Sequence, residues 1–422
     1  MLLKYEFENF NSFKDKASFS MIAPANKVKN RFPDNYVSLT SGYDVQKTAV
    51  IVGENAGGKS NFVRSLEFLN YLFSNNDVVK TNRLLINSNN LDKKCPNNGN
   101  TAQRYYVEVT DDDDLVYIYE LVFDFWGIEK ETLNVRKSKT IKEQLVFNAS
   151  RKKINVECDS DKCEHETCHI NGVAATISIQ INDPYLNGFD TELFERSTSE
   201  KNVGLYVTKL AILGCKPAMI FVDIMKNQVC PESNRIDYDI YKRFVKNEND
   251  LQILKDERFF DIFRNVDYSI KKIDIDEEEP FSKSSIYREG RDGILFSREI
   301  SKDSRGVAEF FAWSVQLFKV IFENKIVFAD EMDRVLNPIL SDRVISLVNG
   351  TDHKGQFVFT THNVLHLDLK NYMKEQIYFV TKDVETLESE MYSLSDFPEM
   401  RYETSKVYEF YLKGILGGTA SE

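Results

Sequence analysis

Residues 53–60 read Gly-Glu-Asn-Ala-Gly-Gly-Lys-Ser, which has the spacing of a phosphate loop: glycine, four residues, then glycine-lysine-serine. An apolar, β-branched run at 48–52 precedes this segment and predicts a buried parallel strand. Residues 61–69 follow it with apolar side chains at helical spacing. Strand, turn and helix start are the required context, because the turn's N–H groups and the positive helix end then surround phosphate. The chain is therefore predicted to bind ATP or GTP.

Each position of this loop has a predicted role. Lys59 is expected to reach the β- and γ-phosphates, and the Ser60 hydroxyl is a predicted Mg²⁺ ligand. The other predicted nucleotide contacts are Gly53, Glu54, Asn55, Ala56, Gly57, Gly58 and Asn61. The alternative is a glycine-rich turn that matches the motif by chance. The strand before it and the helix after it favour the nucleotide site.

Two further predicted strands end in polar residues. Residues 325–331 form an apolar strand that ends in Asp330 and Glu331, and the strand at 356–361 is followed by His362. Asp330 suits the Mg²⁺ shell, and Glu331 suits the general base that polarises the attacking water. His362 is expected to sense the γ-phosphate. Taken singly, such carboxylates are usually solvated and such a histidine is usually structural, but their position at strand ends favours catalysis.

These motifs resemble those of the ABC-type ATPases of the SMC and RecF kind. Residues 2–14 are similar to the family's first strand and Asn-Phe-x-Ser-Phe turn, and residues 360–363 resemble its switch-histidine segment. The resemblance is closer to the AAA-like ATPases of bacterial OLD-type and abortive-infection phage-defence systems, including the ATPase subunits of PARIS-type systems. It covers nearly the whole chain. It implies an α/β fold: an ABC-type ATPase head with a mixed or parallel sheet, a phosphate loop and an inserted, partly helical lobe.

The resemblance also implies a site shared between two copies of the chain. The family's signature segment supplies a serine and a glycine to nucleotide held by a second subunit, and Ser304 and Gly306 resemble that pair. Two positions depart from the family pattern: Val307 stands where threonine is frequent, and Asn337 replaces a histidine. The alternative is an ordinary helix-capping turn. Both roles are compatible, since a helix N-terminus can also bind phosphate.

The long separation of Lys59 from Asp330 predicts a lobe inserted between the two halves of the site. We predict an N-terminal head half at 1–145, the inserted lobe at 146–284 and a C-terminal head half at 285–422. The first half includes a predicted β-hairpin, with strands at 105–109 and 116–123 around four aspartates. No long heptad run is present, so a compact lobe is expected rather than a coiled-coil arm.

Composition narrows the classes of partner. The chain has 422 residues with 54 Lys plus Arg against 66 Asp plus Glu, a net charge of −12, which weakens the case for nucleic-acid binding. DNA contact through a local basic patch stays open, and the basic stretches are 27–31, 136–142 and 151–153. No membrane span is expected, because no sufficiently long apolar run occurs. The lack of a secretion-signal pattern and the cysteine usage indicate a cytoplasmic protein.

One cluster of cysteines and histidines could bind zinc. Its members are Cys158, Cys163, His165, Cys168 and His169. Thiolates and imidazoles at this density are the ligands of tetrahedral Zn²⁺ sites. The spacing lacks a C-x₂-C pair, however, and a polar loop that happens to contain these residues is the favoured alternative.

Together, these features predict a Mg²⁺-dependent ATPase that works as a nucleotide-switched regulator. ATP would lie between two copies of the chain in a homo-oligomer, and hydrolysis would loosen the assembly. The resemblance to defence ATPases implies a sensor that controls a toxic effector, often a Toprim-type nuclease. The short segment after His362 leads us to expect that this effector acts in trans. Two alternatives remain open: a RecF-like DNA-repair ATPase that binds DNA in its ATP state, and a scaffold with a purely structural nucleotide.

Overall fold

The computed structural model describes residues 1–25, 27–74, 102–124, 127–158, 170–182, 192, 204–232, 248–332, 338–402 and 406–417. The strands are β1 Leu2–Glu8, β2 Ala17–Ser20, β3 Tyr36–Ser38, β4 Asp44–Gln46, β5 Thr48–Gly53, β6 Gln103–Thr110, β7 Val116–Asp124, β8 Gly127–Arg136, β9 Gln144–Cys158, β10 Ile170–Ile181, β11 Val229–Glu232, β12 Ile270–Asp274, β13 Ser285–Glu289, β14 Leu295–Glu299, β15 Ile326–Ala329, β16 Gln356–Thr361, β17 Ile377–Lys382 and β18 Ser389–Ser393. The helices are α1 Lys59–Ser74, α2 Tyr206–Ile212, α3 Lys216–Asp223, α4 Glu248–Lys255, α5 Glu257–Phe263, α6 Pro280–Lys283, α7 Arg305–Glu323, α8 Pro338–Gly350 and α9 Val407–Leu412.

A six-stranded sheet, in the order β11-β15-β16-β5-β17-β18, forms the centre of the molecule. Its strands are parallel except for β18, which runs antiparallel to β17. Successive side chains of β5 face opposite sides, so that Ala49 and Ile51 belong to one core while Val50 and Val52 belong to another. Burial on both faces explains why these strands read as continuous apolar runs in the sequence.

One long helix covers each face of this sheet. Helix α1 packs Phe62 and Leu66 into the core that contains Ala49 and Ile51. Helix α7 places Phe310 and Val315 in the other core. The α/β architecture expected from the sequence is therefore present, with the phosphate-loop helix on one face and the helix that follows Ser304 on the other.

A second sheet of antiparallel strands, in the order β10-β9-β8-β7-β6-β1-β2, packs beside the first. The predicted hairpin is confirmed, because β6 and β7 pair from Gln103–Phe123 to Thr110–Val116 around the acidic turn. The side chain of Gln356 links the two sheets: its Oε1 accepts the Leu2 N–H at 2.6 Å, and its Nε2 donates to the Leu2 carbonyl at 2.9 Å.

The stretch predicted as an inserted lobe contributes to both sheets. Strands β9 and β10 extend the antiparallel sheet, and helices α2 to α6 give the described part of the stretch its helical content. Strand β11 pairs in parallel with β15 at the edge of the central sheet. Pro231 is tolerated there because an edge strand need not donate every backbone hydrogen bond. The boundaries at 146 and 284 remain a prediction.

Strands β12, β13 and β14 form a small antiparallel sheet that leads into α7. Its Arg288 forms ion pairs with Asp303 at 2.6 Å and with Asp267 at 2.8 Å, which fixes the segment just before α7. Over the described residues, no helix is both long enough and apolar enough to cross a lipid bilayer.

Candidate active site

Three neighbouring strands of the central sheet deliver the predicted site residues to one edge. Strand β5 ends at Gly53, β15 ends just before Asp330, and β16 ends just before His362. Because β15, β16 and β5 are adjacent and parallel, their carboxyl ends meet at one edge of the sheet. A cavity of about 240 Å³ opens there, and its lining residues are Glu54, Asn55, Ala56, Gly58, Lys59, Ser60, Asn61, Arg64, Glu331 and His362.

The ammonium group of Lys59 occupies the inner part of the loop, and the residue is only 5% exposed. Its Nζ donates hydrogen bonds to the carbonyl oxygens of Gly53 at 2.9 Å and Glu54 at 2.8 Å. Nδ1 of His362 lies 3.3 Å from the same nitrogen. The phosphate-loop lysine and the histidine from β16, 303 residues apart in sequence, are therefore in direct contact.

The loop follows a path that glycine makes possible. Gly58 has a φ of 119°, a conformation that other residues rarely adopt. A Cβ at Gly53 would lie 2.2 Å from the carbonyl oxygen of Val380, so a side chain there would collide with the neighbouring strand. Ala56 also has a positive φ, 64°, although it carries a Cβ. The loop is thus held in a strained conformation at one residue.

The Asp330 carboxylate and the backbone of Glu331 both bond to one residue of the neighbouring strand. The hydroxyl of Thr360 donates to Oδ1 of Asp330 at 2.6 Å and accepts the backbone N–H of Glu331 at 2.8 Å. Asp330 is 6% exposed, whereas the side chain of Glu331 lines the cavity. Glu331 has a φ of 52°, in the left-handed region that non-glycine residues seldom occupy. Glu331 lines the same cavity as Lys59 and His362.

The residues at this edge fit a magnesium ion. Ser60 offers a hydroxyl at the cavity. Asp330 offers a carboxylate at the end of β15, which β16 separates from β5. Hydroxyl and carboxylate oxygens are the hard ligands that Mg²⁺ prefers, usually with water and substrate phosphate completing the shell. These two residues would hold the ion.

The zinc hypothesis lies almost entirely outside the described residues. Only the backbone of Cys158 is described, while Cys163, His165, Cys168 and His169 are not. Across the ranges that the structure covers, no group of three or more His, Cys, Asp or Glu is arranged to hold a metal ion. Zinc binding by this cluster therefore stays the less favoured of the two hypotheses.

The remaining predicted site residues, Asp330 among them, do not line the cavity. Gly53 and Gly57 both pack against the carbonyl oxygen of Val380 in the neighbouring strand. Ser304 is exposed and caps α7, with its Oγ accepting the Val307 N–H at 3.4 Å, as the capping alternative expected. Neither Ser304 nor Gly306 reaches the nucleotide cavity of its own chain. Their contact with nucleotide in a second copy remains a prediction, and Asn337 lies outside the described residues.

Three contributors were missed by the sequence analysis. Thr360 was placed in a strand and in the segment that resembles the switch histidine, but it was given no role of its own; its position two residues before the predicted histidine was the available signal. Arg64 lines the cavity one helical turn after Ser60, and this spacing on α1 could have revealed it. Ser12 contacts the phosphate-loop helix through Asn61, whose Nδ2 donates to the Ser12 hydroxyl at 2.8 Å. No local pattern predicts that contact.

A phosphate loop, an acidic pair and a histidine lie at neighbouring strand ends of a mixed sheet that is joined to an antiparallel one, which is the arrangement of an α/β nucleotide-binding domain. The chain belongs to the family described as "AAA domain, putative AbiEii toxin, Type IV TA system", whose model matches residues 49–368. No curated protein matches the sequence.

Solved structures of SMC heads are similar to the chain over almost their full length. The SMC head bound to the C-winged helix domain of ScpA has 13% identity and a TM-score of 0.47, with 93% of this chain and 97% of that chain covered. The SMC head domain from Thermotoga maritima has 12% identity and a TM-score of 0.39, with 93% and 98% covered. The Smc head with a coiled coil and joint from Pyrococcus yayanosii has 10% identity and a TM-score of 0.43, with 97% and 99% covered.

Proposed function

We propose that this protein binds and hydrolyses ATP and acts as a nucleotide-switched regulator in an anti-phage defence system of the abortive-infection kind. The observation that carries the proposal is the convergence of Lys59, Glu331 and His362 on one cavity. The family description, which names a toxin and a toxin–antitoxin system, supports the defence setting. The effector would be a separate protein acting in trans, with a Toprim-type nuclease as the suspected class and a PARIS-type system as the suspected context.

The chemistry follows from the positions of the side chains. Lys59 would neutralise charge on the β- and γ-phosphates of ATP once they displace its contacts with the loop carbonyls. Glu331 would accept the proton of the attacking water, and His362 would orient the γ-phosphate beside Lys59. Ser60 and Asp330 would hold Mg²⁺, which supplies charge neutralisation for the phosphate oxygens. Positioning and charge stabilisation of this kind suit a slow switch as well as a rapid hydrolase.

The second copy of the chain would complete the site. Ser304 is exposed at the start of the 19-residue helix α7, where the positive end of the helix dipole favours an anion. We include in the proposal a homo-oligomer, a dimer or larger, in which Ser304 and Gly306 of one chain contact ATP held by Lys59 of the other. Mixing two inactive variants tests this directly: Lys59→Ala and Ser304→Arg chains should regain ATPase activity together, since mixed dimers contain one intact site. If ATPase activity did not recover after mixing, the proposal of a site shared between two chains would be wrong.

Glu331→Gln tests the hydrolytic step. The glutamine keeps the shape of the side chain but cannot accept a proton, so phosphate release should fall at least about 100-fold while ATP binding persists. Light scattering with ATP should then show a longer-lived oligomer than in the wild type. Unchanged turnover in this variant would end the assignment of Glu331 as the base. In cells that carry the native locus, the same variant should change phage plating efficiency.

The RecF-like alternative requires a positive surface for DNA. Arg136 of β8 pairs with Val116 of β7, and Val116 also pairs with Thr110 of β6 at the turn of the β6–β7 hairpin. The turn 111–114, with its four aspartates, therefore lies at the same end of the sheet as Arg136. Arg136 also pairs with Glu108 at 2.9 Å and Glu143 at 3.2 Å. In the basic stretch 27–31, Lys29 is ion-paired with Asp44. These acidic partners neutralise part of the positive charge of the stretches 27–31 and 136–142, which favours the defence switch over a DNA clamp.

A further inference from the structure

Two segments from opposite ends of the chain contact the phosphate loop from the protein interior. One is the turn at residues 9–14, which contains Ser12, and the other is the first residue of β18, Ser389. The Ser389 N–H donates to the Ser12 carbonyl at 2.7 Å, and the two hydroxyl oxygens lie 2.7 Å apart. Both residues are buried, with exposed fractions of 2% and 3%. We call this pair the serine clasp.

The clasp touches the loop on both sides of its lysine. Oγ of Ser389 lies 2.7 Å from the carbonyl oxygen of Gly57, and Nδ2 of Asn61 donates to Oγ of Ser12 at 2.8 Å. A hydroxyl carries one proton, and a carbonyl can only accept. The proton of Ser389 therefore goes to Gly57, and Ser12 donates to Ser389. The result is one continuous chain of hydrogen bonds from Asn61 through both serines to Gly57.

This contact lies next to the residues of the loop that have positive φ. Ala56 and Gly58, on either side of Gly57, both have positive φ. Ser389 is also in direct contact with the loop backbone, because a Cβ added at Gly58 would come within 2.6 Å of its hydroxyl. A loop that includes a strained residue keeps its conformation only when its surroundings determine it. The clasp supplies that constraint without any nucleotide.

The clasp also limits which atoms of Asn61 can contact a nucleotide. Its amide nitrogen is engaged by Ser12, and its Oδ1 lies 3.4 Å from Nδ2 of Asn11, so both ends of the side chain face the turn at 9–14. Asn61 is left to contact a nucleotide through its backbone N–H at the start of α1, as a helix N-terminus does. The side chain of Asn61 therefore helps to hold the loop in position.

We propose that Ser12 and Ser389 are positioning residues of the nucleotide site, which hold the phosphate loop in its binding conformation before ATP arrives. This inference rests on the proposed function for its consequence, since a preorganised loop spends less binding free energy on ordering. The triphosphate and diphosphate both use this loop. The clasp therefore acts on the affinity for ATP and ADP alike and leaves the hydrolytic step, which depends on Glu331 and Thr360, unchanged.

The first test measures the loop itself, without nucleotide. Hydrogen–deuterium exchange of residues 53–61 is compared between the wild type, Ser389→Ala and Ser12→Ala. The matched control is Ser395→Ala, an exposed serine of the same C-terminal segment whose hydroxyl bonds only to Ser393 among the contacts described. Loop amides should exchange about 5–10-fold faster in the two clasp variants, as expected for one lost buried hydrogen bond, and at the wild-type rate in the control. Unchanged loop exchange in both clasp variants would overturn the clasp.

The second test measures affinity and turnover. Ser389→Ala and Ser12→Ala should each weaken both MgATP and MgADP about 5–10-fold, with kcat within about twofold of wild type. The double variant should be no weaker than either single one, because each substitution breaks the same hydrogen-bond chain. Additive losses, or a fall in kcat at unchanged affinity, would contradict the proposal. If the wild type bound no ATP while the clasp variants still loosened the loop, the proposed function would fail and the clasp would stand.

Discussion

The hydroxyl of Thr360 donates a 2.6 Å hydrogen bond to Oδ1 of Asp330, which joins the ends of two adjacent parallel strands. The same oxygen accepts the backbone N–H of Glu331 at 2.8 Å. One side chain therefore fixes the direction of the residue predicted to hold Mg²⁺ and of the residue predicted to act as base. Thr360 is completely buried, so this arrangement does not depend on solvent.

Thr360→Val tests this relationship. Valine keeps the shape but removes the hydroxyl, which leaves the Asp330 oxygen without its donor and the Glu331 N–H without its acceptor. We expect kcat to fall about tenfold or more with ATP affinity little changed, because a lost buried hydrogen bond of this kind costs about 1–3 kcal/mol. Steady-state kinetics and direct ATP titration provide the measurement. Thr360→Ser retains the hydroxyl and should keep most of the activity; equal loss in both variants would argue against a role for the hydroxyl.

Ala56→Gly should relieve strain in the phosphate loop. A residue with a Cβ costs about 1–2 kcal/mol in the left-handed region, and glycine removes that cost. Glycine also gives the unfolded chain more conformational entropy, which offsets part of the gain in stability. The net expectation is an increase of about 0.5–1 kcal/mol in the free energy of unfolding, measured by urea denaturation without nucleotide. Ala211→Gly is the matched control, because it lies within α2 and should lower stability by about 1 kcal/mol. A decrease of the same size at both positions would contradict the strain at Ala56.

Arg64 is expected to help distinguish ATP from ADP. Arg64 lines the cavity with Glu331 and His362, one turn along α1 from Ser60, and its guanidinium can pair with the charge that a γ-phosphate adds. Arg64→Ala should weaken ATP about tenfold and ADP far less, and Arg64→Lys should recover part of the difference. Competition binding with a fluorescent nucleotide measures both affinities. The remote Arg264→Ala should change neither, and equal weakening of both nucleotides by Arg64→Ala would refute this role.

Glu131 should make stability depend on pH. It is fully buried, and burial raises its pKa to about 7, even though its carboxylate accepts hydrogen bonds from the backbone of Tyr206 and Val207 and from the Tyr119 hydroxyl. The folded protein therefore holds this proton more tightly than the unfolded chain does. Its stabilising contribution is complete below about pH 4.5 and is lost as the pH rises to about 7, with a total of about 3 kcal/mol.

Glu131→Gln should flatten that part of the pH profile, because glutamine does not titrate. Urea denaturation at several pH values between 4.5 and 8 gives the slope for each protein. The wild type should lose more stability than the variant between pH 5 and 7. Parallel profiles for the two proteins would show that Glu131 ionises normally in the fold.

The sequence predicts most of the site, because its key residues follow local patterns. The phosphate loop lies between a β-branched run and an amphipathic helix, and Asp330 and His362 come directly after apolar strands. The parts that escaped prediction depend on pairing between distant segments. The two serines of the clasp are 377 residues apart, and β11 joins the central sheet through residues that show no strand periodicity of their own. Contacts of this kind are set by how the sheets assemble, which short-range periodicity does not encode.

Binding of MgATP to the wild type and to Lys59→Ala, measured by isothermal titration, tests the central claim most directly. Alanine removes the buried ammonium that contacts the loop carbonyls and His362, so the affinity should fall by roughly 100-fold, as for loss of charged hydrogen bonds to phosphate. Thermal unfolding of both proteins checks that the variant is folded. Equal affinity for MgATP in the folded variant and the wild type would contradict a triphosphate site at this loop.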